Sequence, residues 1–326
     1  MRVLVAGASG VLGSRLVPQL IDAGHEVIGT HHSPGGAERL RTIGATPVML
    51  DLLDARAVRK AVLENEPEAI VHEATALANA KWGRNFDKVF ARTNELRTKG
   101  TDVLLASARE AGVRRIVAQS FASYRHAREG GPVKTEDDPL DPTPPANAQQ
   151  SFAAMAYFER AVTEAGGIVL RYGLFYGAAN DRLIEPVRKR QYPIVADGGG
   201  ITSWIHLDDA AAATVLALEH HGPAIYNIVD DEPGPVREWL PVFAHALGAE
   251  PPRRFPIWLA RLLAGEAAVV IGTEARGASN TKAKRELGWT PRHPSWRKGF
   301  PAVYSALTVA DRPKPHRAPR TSRSPG

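Results

Sequence analysis

Three glycines, Gly7, Gly10 and Gly13, follow directly after a short β-branched segment at residues 2–6 and come before a helix-like segment. Glycine lets the backbone turn sharply and approach a pyrophosphate closely, while a helix N-terminus supplies free N–H groups and a positive dipole end. The order strand, turn, helix therefore predicts a dinucleotide-binding site, with an ordinary β–α turn as the alternative. The predicted phosphate-binding residues are Gly7, Ser9, Gly10, Val11, Leu12 and Gly13.

The residues around the second predicted strand bear on which dinucleotide is bound. An NAD site usually carries Asp or Glu about 20 residues after the glycines, where it binds the ribose hydroxyls. Residues 29–33 contain no carboxylate, whereas Arg15 and Arg39 are cations that could reach a 2′-phosphate. This pattern favours NADP, with NAD as the alternative if both arginines are only surface cations. His32 and Asp51 are further predicted cofactor contacts, with Asp51 beside the adenine.

The first half of the chain alternates strand-like and helix-like segments. The predicted strands cover residues 2–6, 26–30, 46–50, 69–72, 115–118 and 168–172. Such alternation predicts an α/β fold, a Rossmann doubly wound parallel sheet, here with a smaller C-terminal α/β substrate domain. We assign residues 1–179 to the dinucleotide-binding domain, with 205–230 returning to it, and residues 180–204 and 231–310 to the substrate-binding domain.

Composition excludes several classes of protein. The chain has no cysteine, which rules out disulfides and thiolate metal sites, and its eleven histidines show no ligand spacing that predicts a metal site. Apolar runs end well before the ~20 residues that a membrane span needs, and no signal peptide fits the N-terminus. We therefore expect a cytoplasmic protein that acts on a small molecule and has no membrane partner.

The C-terminal residues 311–326 differ in composition from the rest of the chain. They hold five basic residues and one aspartate, a large part of the net charge of +6, together with several prolines and serines. Such a segment buries almost no apolar surface and is predicted to be a disordered basic tail. Because it has no interleaved aromatic residues and no DNA-binding motif, we expect no nucleic-acid partner.

Further short motifs follow the glycine turn in a fixed order along the chain. They are the three glycines, Asp51-Leu52, Val71-His72-Glu73-Ala74, Asn94, Ser120, Leu170-Arg171-Tyr172, Tyr176-Gly177, the stretch 204–210, the stretch 226–229 and the stretch 284–289. With these motifs the chain resembles the extended short-chain dehydrogenase/reductase family, in its NAD-dependent epimerase/dehydratase group, over about residues 1–305. The resemblance implies cofactor contacts from Leu52, Ala74 and Asn94.

The chemistry of that family rests on a Tyr and a Lys four residues apart on one helix, with a Ser or Thr hydroxyl at the end of the fifth strand. Ser120 fits the hydroxyl position. Alignment on Glu159 places Met155 where the Lys belongs and Ser151 where the Tyr belongs. No tyrosine of this chain is followed four residues later by a lysine, so the sequence departs from the family at its catalytic pair.

Several residues could replace the missing pair. Tyr124, four residues after Ser120, is the favoured proton donor, and His126 lies nearby and could transfer a proton near neutral pH. The catalytic candidates are therefore Ser120, Tyr124 and Ser151, and Met155 is a candidate contact to the cofactor. The alternative is that Tyr124 and His126 only form the wall of the pocket or the surface.

These observations lead to two hypotheses of different class. The first is an NADP-dependent oxidoreductase or epimerase/dehydratase-like enzyme that acts on a small carbonyl or hydroxyl compound. The second is a non-catalytic protein that senses the dinucleotide, which the missing pair would favour. Nucleotide-sugar, steroid-like and polyketide substrates all stay open.

One helix also bears on assembly. Residues 152–158 are apolar nearly all round a helix, which predicts burial on both faces. In the family this helix pairs with the helix after Asn94 across a dimer, so a homodimer is expected. Burial by the C-terminal domain of the same chain is the alternative.

Overall fold

Seven parallel strands form one twisted sheet in a computed structural model that describes residues 1–77, 84–178 and 182–310. The strands are β1 (Arg2–Ala6), β2 (Glu26–His31), β3 (Thr46–Met49), β4 (Ala69–His72), β5 (Arg115–Phe121), β6 (Ile168–Tyr172) and β7 (Ala224–Ile228). Their order across the sheet is β7-β6-β5-β4-β1-β2-β3, so the direction of winding reverses between β1 and β4. In such sheets ligands bind beyond the carboxyl ends of the strands at the reversal.

Helices connect the strands and cover both faces of the sheet. Their bounds are α1 (Gly13–Asp22), α2 (Gly36–Thr42), α3 (Ala55–Asn65), α4 (Phe86–Glu95), α5 (Thr101–Glu110), α6 (Gln149–Glu164), α7 (Ile184–Arg188), α8 (Leu207–Ala217), α9 (Val236–Ala246), α10 (Ile257–Ala264), α11 (Glu266–Thr273), α12 (Thr281–Leu287) and α13 (Trp296–Ala310). A π-helical turn, Leu96–Gly100, joins α4 to α5. Among the described residues, no helix is both long and apolar enough to span a bilayer.

The strands are buried on both faces, as expected for a parallel sheet between helices. In β1, Val3 and Val5 pack into one core cluster with residues of α1 and α8. The alternate residues Leu4 and Ala6 pack into a second cluster with residues of α3 and α5. This period of two confirms the α/β doubly wound fold predicted from the sequence.

The C-terminal half adds short strand pairs and an aromatic core beside the sheet. The pairs are Ile201–Thr202 with Gly234–Pro235, Leu174–Tyr176 with Trp204–His206, Ile194–Val195 with Arg254–Phe255, and Val133–Lys134 with Gly277–Ala278. The aromatic core contains Trp204, Trp239, Phe243, Trp296, Phe300 and Tyr304. Strand β7 lies in the predicted returning segment 205–230 and pairs with β6. The domain division stays a prediction, and its boundary near 179 and the tail 311–326 lie outside the described residues.

Helix α6 is less completely buried than the sequence predicted. Met155 and Phe158 are buried, but Ala153 is exposed and Phe152 and Tyr157 are only half-buried. The hydroxyl of Tyr157 donates a hydrogen bond to a carboxylate of α5. One face of α6 is therefore left uncovered by the described residues.

Candidate active site

A cavity of about 1100 Å³ lies at the carboxyl ends of the strands. It begins at the turn after β1, passes the ends of β4 and β5, and reaches α10 and α11 of the C-terminal half. The two ends of this cavity differ in chemistry, and the predicted residues fall at both of them.

The turn after β1 brings the backbone close to the cavity. All six residues predicted for phosphate binding line it: Gly7, Ser9, Gly10, Val11, Leu12 and Gly13. Gly7 has a φ of +94°, and a Cβ there would lie 2.9 Å from the backbone of Ala74. A Cβ on Gly13 would lie 2.2 Å from the carbonyl oxygen of Ala8, and one on Gly10 would lie 3.0 Å from that of Gly7. Because side chains would fill this space, the turn fits a dinucleotide pyrophosphate at the N-terminus of α1.

Most of the other residues predicted to contact the cofactor also line the cavity. His32, Asp51, Leu52 and Ala74 line the cavity, as does Arg39. A carboxylate oxygen of Asp51 lies 3.1 Å from a guanidinium nitrogen of Arg92 in α4. This end of the cavity therefore holds both hydrogen-bonding groups and cations.

Arg15 does not line the cavity. Its guanidinium donates to the carbonyl oxygen of Gly177 and lies 3.5 Å from the carboxylate of Asp208. The prediction that Arg15 reaches the cofactor is therefore not supported by this geometry, which turns the side chain towards α8. Arg39 is the predicted cation that faces the cavity.

Ser151, at the position of the family's tyrosine, is fully buried and does not line the cavity. Its hydroxyl lies 2.7 Å from a carboxylate oxygen of Asp87, which also accepts the backbone N–H of Ser151. Asn94 donates to the same hydroxyl at 3.1 Å and also lies outside the cavity lining. Ser151 thus helps to fix the first turn of α6, and neither its catalytic role nor the cofactor contact of Asn94 is supported. Met155 is buried and lines the cavity with an apolar side chain.

Ser120 lines the cavity at the end of β5, but its hydroxyl already has partners. It donates to Glu159 at 2.5 Å and accepts from Arg125 at 3.2 Å. Glu159 also receives hydrogen bonds from Arg125 and Arg171, and all four side chains are buried. Burial raises the pKa of Glu159, but the two arginines outweigh burial and bring this pKa to about 2. Since the single proton of Ser120 points at a carboxylate, it is not directed at a substrate oxygen.

Tyr124 lines the cavity, as predicted, in a strained backbone conformation with a φ of +47°. Its ring packs against Phe86 and Phe121, with centroids 5.9 and 4.9 Å away. Burial raises the pKa of the Tyr124 hydroxyl well above its ordinary value, which makes it a poor acid near neutral pH. His126 is buried outside the cavity, and burial lowers its pKa to about 4.

Arg97 and Glu73 are charged residues of the cavity lining that were not among the predicted site residues. Arg97 is 8% exposed and follows Phe86, Phe90 and Thr93 on one helical face, a charge on an apolar stripe that could have revealed it. Burial lowers the pKa of Arg97 to about 10, so the guanidinium stays protonated at neutral pH. Burial raises the pKa of Glu73 well above its ordinary value, but its free oxygen is buried beneath the lining.

One group in the described residues has ligand atoms close enough for a metal ion. Ligand atoms of His206, Asp208 and His293 lie within 4.8 Å of one another. Two of the three side chains already have partners: Nδ1 of His206 accepts the backbone N–H of Asp208, and Arg15 lies 3.5 Å from the Asp208 carboxylate. The prediction of no metal site stays a prediction.

Comparisons with known proteins agree with this geometry. The profile of the NAD dependent epimerase/dehydratase family matches residues 3–229. A 3-diazoavenalumate denitrifying reductase from Streptomyces is 42% identical over 309 residues, which is 92% of this chain and 99% of that protein. A ketoreductase from Stigmatella aurantiaca, which acts on a farnesyl-dihydroquinoline oxide, is 27% identical over 98% of this chain and all of the relative. The UDP-glucose 4-epimerase structure of Thermotoga maritima has a TM-score of 0.76 at 20% identity, over 95% of this chain and 99% of that one.

The chain belongs to the NAD dependent epimerase/dehydratase family. This confirms the family resemblance, the Rossmann fold and the predicted class, an NAD(P)-dependent oxidoreductase or epimerase-like protein. It also supports a nicotinamide dinucleotide as the cofactor, which the glycine turn fits.

Proposed function

We propose that this protein is an NADPH-dependent reductase that removes the diazo group of an aromatic compound as dinitrogen. The observation that carries the proposal is the state of the described residues that stand at the family's catalytic positions, none of which is placed to donate a proton to a substrate. At the positions of the family's pair, Ser151 is sealed by Asp87 and Asn94, and Met155 has no proton to give. A reaction that needs no proton from the protein suits such a site best.

The two hydroxyls predicted to replace the missing pair, those of Ser120 and Tyr124, point to the same conclusion. Ser120 donates its proton to Glu159, and burial raises the pKa of Tyr124 far above neutrality. Reduction of a ketone takes up one proton for each hydride, and a general acid typically contributes a factor of about 10² to 10⁴ to such a step. Neither hydroxyl combines a proton free to point into the cavity with an acidity that suits that role.

Reductive loss of a diazo group does not need that proton. When bound, the reduced dinucleotide supplies a hydride, which brings two electrons. A C–H bond forms in place of the C–N bond, whose electrons leave with dinitrogen, and the charges of hydride and diazonium cancel. The task of the protein is then to bind the arene, orient its diazo group and exclude water.

The Streptomyces relative supports this reaction class. Its name describes a denitrifying reductase of a diazo compound, and the 42% identity extends over nearly all of both chains. Aromatic side chains in the cavity also suit an aromatic substrate, since Phe86, Phe90, Phe121 and Tyr124 all line it.

We extend the proposal to the form of the cofactor and to the assembly. NADPH is favoured over NADH by Arg39 in the cavity lining and by the lack of a carboxylate in residues 29–33. A homodimer is supported by the exposed face of α6, where Ala153 is uncovered by the described residues, and a cytoplasmic location is proposed from the composition of the sequence alone. The domain that closes over the substrate is proposed to comprise residues 180–204 and 231–310.

A pair of matched compounds tests the proposed reaction. We expect 3-diazo-4-hydroxycinnamate to be converted into 4-hydroxycinnamate with consumption of NADPH, and 3-acetyl-4-hydroxycinnamate to be reduced at least about 100-fold more slowly. With NADPH deuterated at C4 of the nicotinamide, mass spectrometry should find the deuterium in the product, whereas unlabelled NADPH in heavy water should leave it unlabelled.

Two results would overturn the proposal. Faster reduction of the ketone, lost in Tyr124→Phe, would assign the protein to carbonyl reduction with Tyr124 as the acid. Tight binding of NADPH without turnover of either compound would favour the dinucleotide sensor instead. Glu129→Gln, an exposed change in a loop outside the cavity, is the control for Tyr124→Phe and should leave the rates with both compounds unchanged.

A further inference from the structure

Arg97 is a buried cation that no carboxylate of the described residues pairs with. Its side chain lies in the π-helical turn Leu96–Gly100, is only 8% exposed and lines the cavity. Among the described residues it makes no side-chain hydrogen bond and no ion pair, and its guanidinium carbon lies 6.0 Å from the centre of the Phe90 ring. A π-helical turn inside a helix often marks a functional site.

The other buried arginines of the described residues show how unusual this is. Arg125 and Arg171 are each less than a tenth exposed, and both donate to the carboxylate of Glu159. Leaving a charge buried without such a partner costs several kcal/mol in general. The cost at Arg97 would be offset if an anionic ligand enters the cavity.

The charges beneath the cavity also favour an anion. Arg125 and Arg171 share the carboxylate of Glu159, and Arg171 also interacts electrostatically with the half-buried Glu136, so the ion pairs of this cluster involve Arg125 and Arg171 and leave Arg97 out. The charged or ionisable groups that act on Arg97 are Tyr124 first, then Arg125 and Glu159, so its guanidinium lies close to the Tyr124 hydroxyl and near this cluster. Because these groups lie in a region of low dielectric, the positive potential at this end of the cavity is weakly screened.

The part of the cavity next to α10 and α11 is mostly apolar among the described residues, which does not suit an anion with several charges. Towards α10 and α11 the lining consists of apolar side chains, among them Ala260, Leu263, Ala267 and Ile271. Arg182 also lines the cavity, and its guanidinium donates to the carbonyl oxygen of Leu77. Among the described residues, Arg97 is the guanidinium that lies beside the Phe86 and Phe90 rings, and one such group matches a single carboxylate better than a diphosphate, which needs several cations together.

We infer that Arg97 binds the carboxylate of an aromatic acid, whose ring lies against Phe86, Phe90 and Tyr124. This inference deepens the proposed function, because it rests on the cavity holding an aromatic substrate and adds the group by which that substrate is recognised. It makes Arg97 a specificity-determining residue and excludes neutral arenes and sugar nucleotides as good ligands.

Binding of an unreactive acid tests the inference without any turnover. We would titrate the full chain, saturated with NADP⁺, with 4-hydroxycinnamate and with its methyl ester in a calorimeter. The acid should bind about 10- to 100-fold more tightly than the ester, as for other hydrogen bonds to a charged group. Arg97→Gln should abolish this difference, Arg97→Lys should restore part of it, and the exposed Arg109→Gln should leave it unchanged.

The outcomes separate this inference from the proposed reaction. Equal affinity for acid and ester, or no binding of either, would overturn the role of Arg97, whatever the protein does with diazo compounds. Loss of NADP⁺ affinity in Arg97→Gln, with the preference for the acid intact, would assign Arg97 to the cofactor and would also overturn it. If Arg97→Gln does not fold, the comparison of acid and ester on the unaltered protein still decides. Absence of diazo reduction with the acid preference present would count against the reaction alone.

Discussion

Replacing Glu159 with glutamine should destabilise the protein by about 3 kcal/mol at neutral pH. The carboxylate is buried between Arg125 and Arg171, and its pKa is about 2 in place of the ordinary 4.5. A difference of that size corresponds to about 3 kcal/mol of preferential stabilisation of the charged form. Removing one partner from a buried ion cluster usually costs about 3 to 5 kcal/mol, which agrees. Unfolding in urea, followed by tryptophan fluorescence, measures the change.

The dependence on pH makes this prediction specific to the ion cluster. Because the pKa of Glu159 is lower in the folded state, its contribution is fully present above about pH 5 and is lost as the pH falls towards 2. The stability difference between the parent protein and Glu159→Gln should therefore shrink as the pH is lowered towards 3. Glu164→Gln, on the same helix with a side chain 71% exposed, should change stability by less than about 0.5 kcal/mol. A Glu159→Gln protein as stable as the parent, or a stability difference independent of pH, would refute the reasoning.

Further predictions concern the cavity. Arg39→Ala should lower the preference for NADPH over NADH about tenfold in calorimetry, whereas Arg15→Ala should change it little, since that side chain faces α8. Gly10→Val should abolish binding of both dinucleotides because its side chain would occupy the turn, and a fluorescence titration that found normal affinity would contradict the cofactor assignment. Gly131→Ala, where a Cβ would meet nothing closer than 3.9 Å, is the control. Tyr124→Phe should keep the rate of diazo reduction within about threefold, whereas a loss of 10² or more would reveal an acid–base role.

The fold could be predicted from the sequence because its signals are local. The glycine turn, the short β-branched strands and the helix start at Asp54, whose side chain accepts two backbone N–H groups, all depend on neighbouring residues. Some strand ends differ from the prediction: β2 extends beyond residue 30 to His31, and β5 extends beyond residue 118 to Phe121. Backbone pairing across the sheet extends these strands, and a local pattern does not contain it.

The site was predicted less well, because burial and pairing of charges depend on contacts far apart in the chain. Arg125 is separated from Glu159 by 34 positions, and together they capture the hydroxyl of Ser120. Arg97 was overlooked since most arginines lie in solvent. The available sequence signal was its spacing, which continues the face formed by Phe86, Phe90 and Thr93 in α4. Only the structure shows the π-helical turn and that no carboxylate of the described residues pairs with Arg97.

The departure from the family's catalytic pair is part of how this chain packs. Asp87 accepts the backbone N–H groups of Gln150 and Ser151 and so satisfies the first turn of α6, while Asn94 holds the Ser151 hydroxyl from the other side. A tyrosine ring at position 151 would have to displace the fully buried Ser151 hydroxyl and its two partners, and a lysine at 155 would add a charge to a cavity that already contains Arg97. A cavity with the unpaired Arg97, and with no ready acid among the described residues at the catalytic positions, is suited to an anionic substrate that accepts hydride and loses a neutral leaving group, since neither step requires the missing pair.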